Sequence, residues 1–340
     1  MTFSAPHISG LSLIARSVMS VALVLLTFSA CSTELPSIKD YDFDHAGYRT
    51  TLPRTYSQYA TWEHGKLHYV TAGRGSKVIL IHGLGGSWDN WKIIIPIISA
   101  RHRVYALDLP GFGLSDRPEV SYSIPFMTRA VLAFMEEAGV EKADFVGHSM
   151  GGHVLMDLAL KHPEKIQRMI LLDAVGAQSL WEPLRRLTLL GLGLLEQNPE
   201  WLSPGWVKQL VETCFYKPND ESEEMVKFFM AALQRPEGQQ LVRSFSNAAQ
   251  GILNYPLAHR LRQIRVKTLV VWGQNDRVVS LDHAVTLNRE ISGSQLRLIP
   301  RSGHIPQLER PERLARIMLE YFAKPDGAAS ISKFKTPDYP

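Results

Sequence analysis

Ser149 stands in Gly147-His148-Ser149-Met150-Gly151, directly after the apolar run 143–146 and directly before a helical pattern over 150–161. A serine hydroxyl is a weak nucleophile until a base takes its proton. A sharp turn from strand to helix would hold its Oγ clear of the sheet, with glycines on either side where a Cβ would clash. The following helix would aim its positive end at the charge that develops when a carbonyl is attacked. A G-x-S-x-G match alone is weak evidence, because small residues cluster in ordinary turns. Its weight depends on partners elsewhere in the chain.

Three partners are present. His82-Gly83-Leu84-Gly85-Gly86 closes the apolar run 78–81, and backbone N–H groups there would meet an oxyanion, each donor contributing about 3 to 4 kcal/mol. The expected donors are the N–H groups of Leu84 and Met150; read alone, the loop is equally an ordinary Gly-rich connection. Of the 12 histidines, His304 alone follows a strand-like run (296–300) through a loop, Arg301-Ser302-Gly303, near the end of the folded chain. His45, His64 and His162 read as surface or satisfied core residues. A carboxylate must orient the imidazole and stabilise its charged form. Asp276 follows the run 268–272 through Gly273-Gln274-Asn275, and Asp173, which ends the run 169–172, is its rival.

The elements that would carry these residues alternate. Short apolar runs at 78–81, 104–109, 143–146, 169–172, 268–272 and 295–300 are separated by helical patterns at about 88–100, 127–138, 150–161, 281–291 and 311–322. Near-continuous apolar strands between helices imply a parallel sheet covered on both faces. A hairpin around 62–72, with His64-Gly65 as its turn, would add antiparallel strands at one edge. Between Asp173 and Lys267 no strand-like run occurs, and the composition is helical. Within that interval the leucines, Trp181 and arginines of 180–195 suit either a lipid-facing surface or packing onto the core.

Together, His82 to Gly86, Asp108-Leu109-Pro110-Gly111-Phe112-Gly113, Gly147 to Gly152, Gly273 to Asp276 and Gly303-His304 make the chain resemble the α/β-hydrolase-fold serine hydrolases over roughly 56–324. The order Ser149, Asp276, His304 is that family's order of nucleophile, acid and base. The resemblance implies an α/β fold: a mostly parallel eight-stranded sheet, helices on both faces, and a helical cap inserted after strand 6. The core would occupy 56–175 and 258–324, with the cap at 176–257. Asp276 is favoured over Asp173 because its Gly-x-x-Asp loop resembles the more common placement of the acid, and Asp108 falls in a structural turn. Ser149 argues against the aspartate-nucleophile members, the epoxide hydrolases and haloalkane dehalogenases.

The expected activity is cofactor-independent hydrolysis of carboxylic esters, lipids included, by a carboxylesterase or lipase working through an acyl-enzyme on Ser149. Its enzymatic alternative is carbon–carbon bond hydrolysis of aromatic ring-cleavage products, with haloperoxidase or perhydrolase activity third. A noncatalytic ligand-binding protein on the same fold is the alternative of a different class.

The ends carry their own expectations. Residues 1–30 read as an export signal: Arg16 is the only Lys or Arg before Lys39, and 18–30 is a short apolar run ending at Cys31. Thirteen residues are too few for a membrane span, which needs about 20. Phe28-Ser29-Ala30-Cys31 resembles a bacterial lipobox, which makes Cys31 the expected lipidation site. Ser32 resembles outer-membrane rather than inner-membrane sorting, residues 31–55 a tether, and 325–340 a disordered tail. With Cys31 acylated, Cys214 has no partner for a disulfide. A 45% hydrophobic fraction fits a globular chain, and the net charge of +4 is mild and spread out. No phosphate loop, dinucleotide fingerprint or metal-ligand spacing is present, so no cofactor, metal or nucleic-acid partner is expected. The oligomeric state leaves no mark in the sequence.

Overall fold

The computed structural model describes residues 55–179, 182–198 and 201–323. Strands β1 (Tyr56–Trp62) and β2 (Gly65–Ala72) form a hairpin, followed by β3 (Ser76–Ile81). A 3-10 turn, Trp88–Trp91, and helix α1 (Ile94–Ser99) lead to β4 (His102–Leu107) and α2 (Ile124–Glu137). Next come β5 (Ala143–His148), α3 (Met150–Lys161) and β6 (Ile166–Leu172). Four helices then intervene: α4 (Glu182–Gln197), α5 (Pro204–Cys214), α6 (Asp220–Leu233) and α7 (Gly238–Leu253). The chain returns to the sheet as β7 (Thr268–Gly273), α8 (Leu281–Glu290) and β8 (Gln295–Ile299), and ends in α9 (Pro306–Glu309) and α10 (Pro311–Phe322).

The eight strands form one sheet in the order β1-β2-β4-β3-β5-β6-β7-β8. β1–β2 and β2–β4 pair antiparallel, and every other pair is parallel. Alternation along β3 shows why its apolar run is unbroken. Ile79 and Ile81 join the cluster that holds Phe134 of α2 and Leu155 of α3, whereas Val78 and Leu80 face Trp91, Ile94 of α1 and Met318 of α10. Both faces are covered, as a parallel sheet requires. The strand order reverses at β3, between β4 and β5, and open α/β sheets form their ligand crevices at the carboxyl ends of strands beside such a switch point.

Several boundaries differ from the sequence expectation. The single helix over 88–100 is instead the 3-10 turn plus the six-residue α1; Ser87 and Asn90 form a capping box, and Pro96 cannot donate to a longer helix. Helix α2 starts at Ile124 rather than 127, because Ser123 caps Phe126 N–H and Pro125 suits the first turn. The hairpin loop is Glu63-His64, since Gly65 already pairs with Trp62. Of the leucines in α4, Leu192 and Leu195 are buried, while Leu190 and Leu194 are exposed, as is Trp201 beyond the helix. Among the described residues no helix is long and apolar enough to cross a membrane.

Candidate active site

Register places the site. Ile81 of β3 pairs with Gly147 of β5, so the loops beginning at His82 and Ser149 leave the sheet side by side. Ser149 has φ 51° and ψ −114°, a backbone region that costs a non-glycine residue about 1 to 3 kcal/mol. Its surroundings hold it there: Ser149 N–H donates to Leu172 O at 2.9 Å, and Ser149 O accepts from the N–H groups of Gly152, His153 and Val175. The glycines permit the close approach. A Cβ on Gly151 would strike the Ile81 carbonyl oxygen, and one on Gly83 would come within 3.1 Å of Ser149 Cβ. Ser149 Oγ does not cap α3 and makes no hydrogen bond among the described residues, which leaves it available to a substrate.

His82 organises the second loop, a role the sequence reading missed. Leu109 N–H donates to His82 Nε2 at 3.0 Å, so the ring proton sits on Nδ1 and is donated to Gly83 O at 2.7 Å. Burial lowers the His82 pKa and keeps the ring neutral. Gly83 O also accepts from Gly86 N–H, and in a trans peptide the Leu84 N–H points opposite to that clamped carbonyl. The Met150 N–H is the first of α3 and has no carbonyl one turn back. Among the described residues neither N–H has a protein acceptor, so both expected oxyanion donors stand unspent.

His304 and Asp276 meet at the neighbouring strand ends. His304 Nδ1 donates to Asp276 Oδ2 at 2.8 Å, with both side chains about 1% exposed. Asp276 Oδ1 accepts from Val278 and Val279 N–H at 2.8 and 2.9 Å. Asp173, the rival acid, is not displaced elsewhere: one ligand atom from each of Asp173, Asp276 and His304 lies within 4.8 Å of the others. The His304 ring turns its Nδ1 to Asp276, while Asp173 Oδ1 accepts Gly273 N–H at 2.8 Å. His148 ties this group to the nucleophile: its Nε2 donates to His304 O at 2.7 Å and the two rings lie 4.9 Å apart. Burial, then the nearby His304, holds the His148 pKa well below the usual value.

The helical insertion reaches the same loop. His304 N–H donates to Cys214 O at the end of α5 at 2.7 Å, and a Cβ on Gly303 would press on that carbonyl at 2.5 Å. Glu309, also missed from sequence, accepts Gly303 N–H at 2.5 Å, Tyr216 N–H at 2.6 Å and the Ser302 hydroxyl at 3.3 Å. Its carboxylate thus staples the His304 loop to the segment after α5. Asp108 accepts His68 Nδ1–H, Trp88 N–H and Leu114 N–H, bonds that fix loops rather than face Ser149. Cys214 is buried, takes part in no disulfide among the described residues, and its thiol donates to Leu210 O at 3.5 Å. Cys31 and the segments 1–30, 31–54 and 325–340 lie outside the described residues.

A doubly covered parallel sheet with a strained serine turn after its fifth strand defines a class. The family model described as the alpha/beta hydrolase fold matches residues 77–311, and the chain belongs to that family; the protein is a hydrolase. It is 33% identical over 267 residues to the 2-hydroxy-6-oxo-6-phenylhexa-2,4-dienoate hydrolase of Burkholderia cepacia, covering 76% of this chain and 91% of that one. A 2-hydroxy-6-oxononadienedioate/2-hydroxy-6-oxononatrienedioate hydrolase of Comamonas testosteroni is 32% identical over 267 residues, with the same coverages. Among solved structures, the 2-hydroxy-6-oxo-6-phenylhexa-2,4-dienoate hydrolase of Rhodococcus sp. strain RHA1 superposes with a TM-score of 0.69 at 27% identity, covering 80% of this chain and all of that one.

These relatives overturn the carboxylesterase or lipase expectation. They are named as hydrolases of 2-hydroxy-6-oxo-dienoates, compounds in which the 6-oxo carbon is bonded to carbon and not to an ester oxygen. The physical reason for the error is that a serine, a histidine–carboxylate pair and an oxyanion loop serve any attack on a carbonyl. The bond that then breaks depends on the substrate those groups receive, and the motifs do not encode it.

Proposed function

We propose that this protein hydrolyses a carbon–carbon bond in a 2-hydroxy-6-oxo-dienoate ring-cleavage product. The observation that carries the reading is 33% identity sustained over 91% of a relative with that activity in its name. The site geometry supports it with groups suited to the chemistry. For carbon to leave from a ketone, the electron pair must enter a conjugated system. Tautomerisation of the 2-hydroxydiene to the 2-oxo form supplies one, with C5 as a CH2 joined through the C3–C4 double bond to the C2 carbonyl. His304, oriented by Asp276, takes the Ser149 proton as Oγ attacks the C6 carbonyl. The oxyanion is met by the Leu84 and Met150 N–H groups. The tetrahedral centre collapses, the C5–C6 bond breaks, and the electron pair passes to the C2 oxygen as a dienolate, which takes up the proton. Water attacks the acyl-Ser149 with His304 again as base, releasing a carboxylic acid and regenerating serine. The net change is addition of one water across C5–C6.

Incubating the purified protein with 2-hydroxy-6-oxo-6-phenylhexa-2,4-dienoate tests the reading. Loss of the dienol–ketone chromophore with equimolar benzoate and 2-hydroxypenta-2,4-dienoate is expected. An untouched substrate contradicts it. The N-terminal reading stands beside this as a separate proposal resting on sequence alone: residues 1–30 are removed on export and Cys31 carries lipid.

A further inference from the structure

We propose that Asp173 is held as an uncharged carboxylic acid that donates the proton on its Oδ2 to the Asp276 carboxylate, making it a positioning residue for the histidine–aspartate pair.

Hydrogen-bond inventory leads there. Asp173 is fully buried at the carboxyl end of β6, and its Oδ1 already accepts Gly273 N–H at 2.8 Å. Its Oδ2 is buried with no hydrogen-bond partner among the described residues. No donor is offered to that oxygen, yet the Asp276 side chain lies within hydrogen-bonding reach of Asp173. A carboxylate presents about four acceptor sites. Asp276 fills three of them, with Val278 N–H, Val279 N–H and His304 Nδ1–H. One acceptor site on Asp276 therefore remains for one unsatisfied buried oxygen on Asp173, and a proton between them satisfies both. The charged and titratable groups around Asp173 are Asp276, His304 and Glu309. Burial first, and then the charge of Asp276, raises its pKa well above the usual carboxylate range. Two anions so close in a dry site do not both persist, as in other carboxylate pairs.

The backbone holds the residue in place. Asp173 adopts φ 45°, a left-handed conformation rare outside glycine, asparagine and aspartate. Asp173 N–H donates to Val271 O at 3.0 Å, which pins the residue across the β6–β7 boundary. The shared proton disperses the Asp276 charge and fixes its rotamer, which sets both the direction and the strength of the bond to His304. The three side chains are also close enough to suggest a cation site; here the shared cation is a proton.

The inference rests on the reading of Ser149, His304 and Asp276 as the reacting triad but not on which bond they cleave. Infrared difference spectroscopy of the whole protein at neutral pH, wild type against Asp173→Asn, requires no substrate and so stands apart from that reading. A carbonyl band of a protonated carboxylic acid is expected in wild type and absent from the variant. No such difference overturns the proposal, as does stoichiometric metal that a chelator removes with loss of activity. Kinetics give the second arm, on any substrate turned over. Asp173→Gly tolerates the positive φ but loses the donor; its kcat should fall about tenfold with KM little changed, and the acid limb of its pH–rate profile should move up by about one pH unit. Asp173→Asn keeps a donor without charge, suits the backbone, and should recover most of the rate with the limb within about half a unit of wild type. A limb displaced downward in Asp173→Asn would show that a negative charge had been removed and would contradict the proposal. So would a wild-type profile in Asp173→Gly.

Discussion

Ser149 and His304 act in one proton transfer, so losing either should cost nearly as much as losing both. Ser149→Ala and His304→Ala should each lower kcat by about 10⁴-fold or more with unchanged melting temperature, read by steady-state kinetics and thermal denaturation. Asp276→Asn keeps the shape but offers an amide to His304 Nδ1, and should cost about 10⁴-fold; a loss below tenfold would move the acid to Asp173. The types of these residues were legible in the sequence because each follows a strand through a short Gly-containing loop. The pairing of Asp173 with Asp276 was not legible, since it depends on β6 and β7 lying adjacent with Leu172 opposite Val271. Sequence presented the two carboxylates as alternatives; the fold makes them neighbours. His82 was quoted only as the head of its loop, and its bond to the Leu109 N–H joins residues 27 apart that no local pattern connects.

At the scale of elements, the site depends on how firmly the His304 loop is tied to the helical insertion. Glu309 takes three hydrogen bonds there, and Glu309→Ala would leave the Gly303 and Tyr216 N–H groups unpaired in a half-buried place. A stability loss of about 2 kcal/mol is expected, seen as a lower urea midpoint, with kcat reduced about tenfold as the His304 loop loosens. Unchanged stability would show that water replaces the carboxylate without cost. The sheet strands were legible as short unbroken apolar runs, and the helices α3, α8 and α10 from the helical spacing of their apolar residues, with Pro311 opening the last. The four-helix insertion was legible only as an interval without strands. Which of its carbonyls reach His304 is decided by the close approach at Gly303, a contact between segments about 90 residues apart.

The whole molecule carries buried histidines whose neutrality links folding to acidity. His153 is fully buried, its Nε2 donates to Tyr255 O at 2.8 Å, and burial lowers its pKa to about 4. A folded pKa below the unfolded 6.5 means the unfolded chain binds the extra proton, so the stability from this group is full above about pH 6.5 and is lost as pH falls toward about 4. Chemical denaturation should show a decline in that window worth about 3 kcal/mol from His153, and His153→Gln should flatten it. An equally steep decline in the variant would assign it to other groups. The N-terminal proposal is tested by fractionation: Cys31→Ser should release active protein from membranes or stall its processing, and a mature chain bearing an unmodified Cys31 would refute lipidation. Which bond breaks is decided most directly by product analysis of a single turnover. With excess enzyme over 2-hydroxy-6-oxo-6-phenylhexa-2,4-dienoate, wild type should yield one benzoate and one 2-hydroxypenta-2,4-dienoate per substrate, and Ser149→Ala should yield neither. Substrate recovered intact from wild-type enzyme that still turns over a simple aryl ester would contradict it.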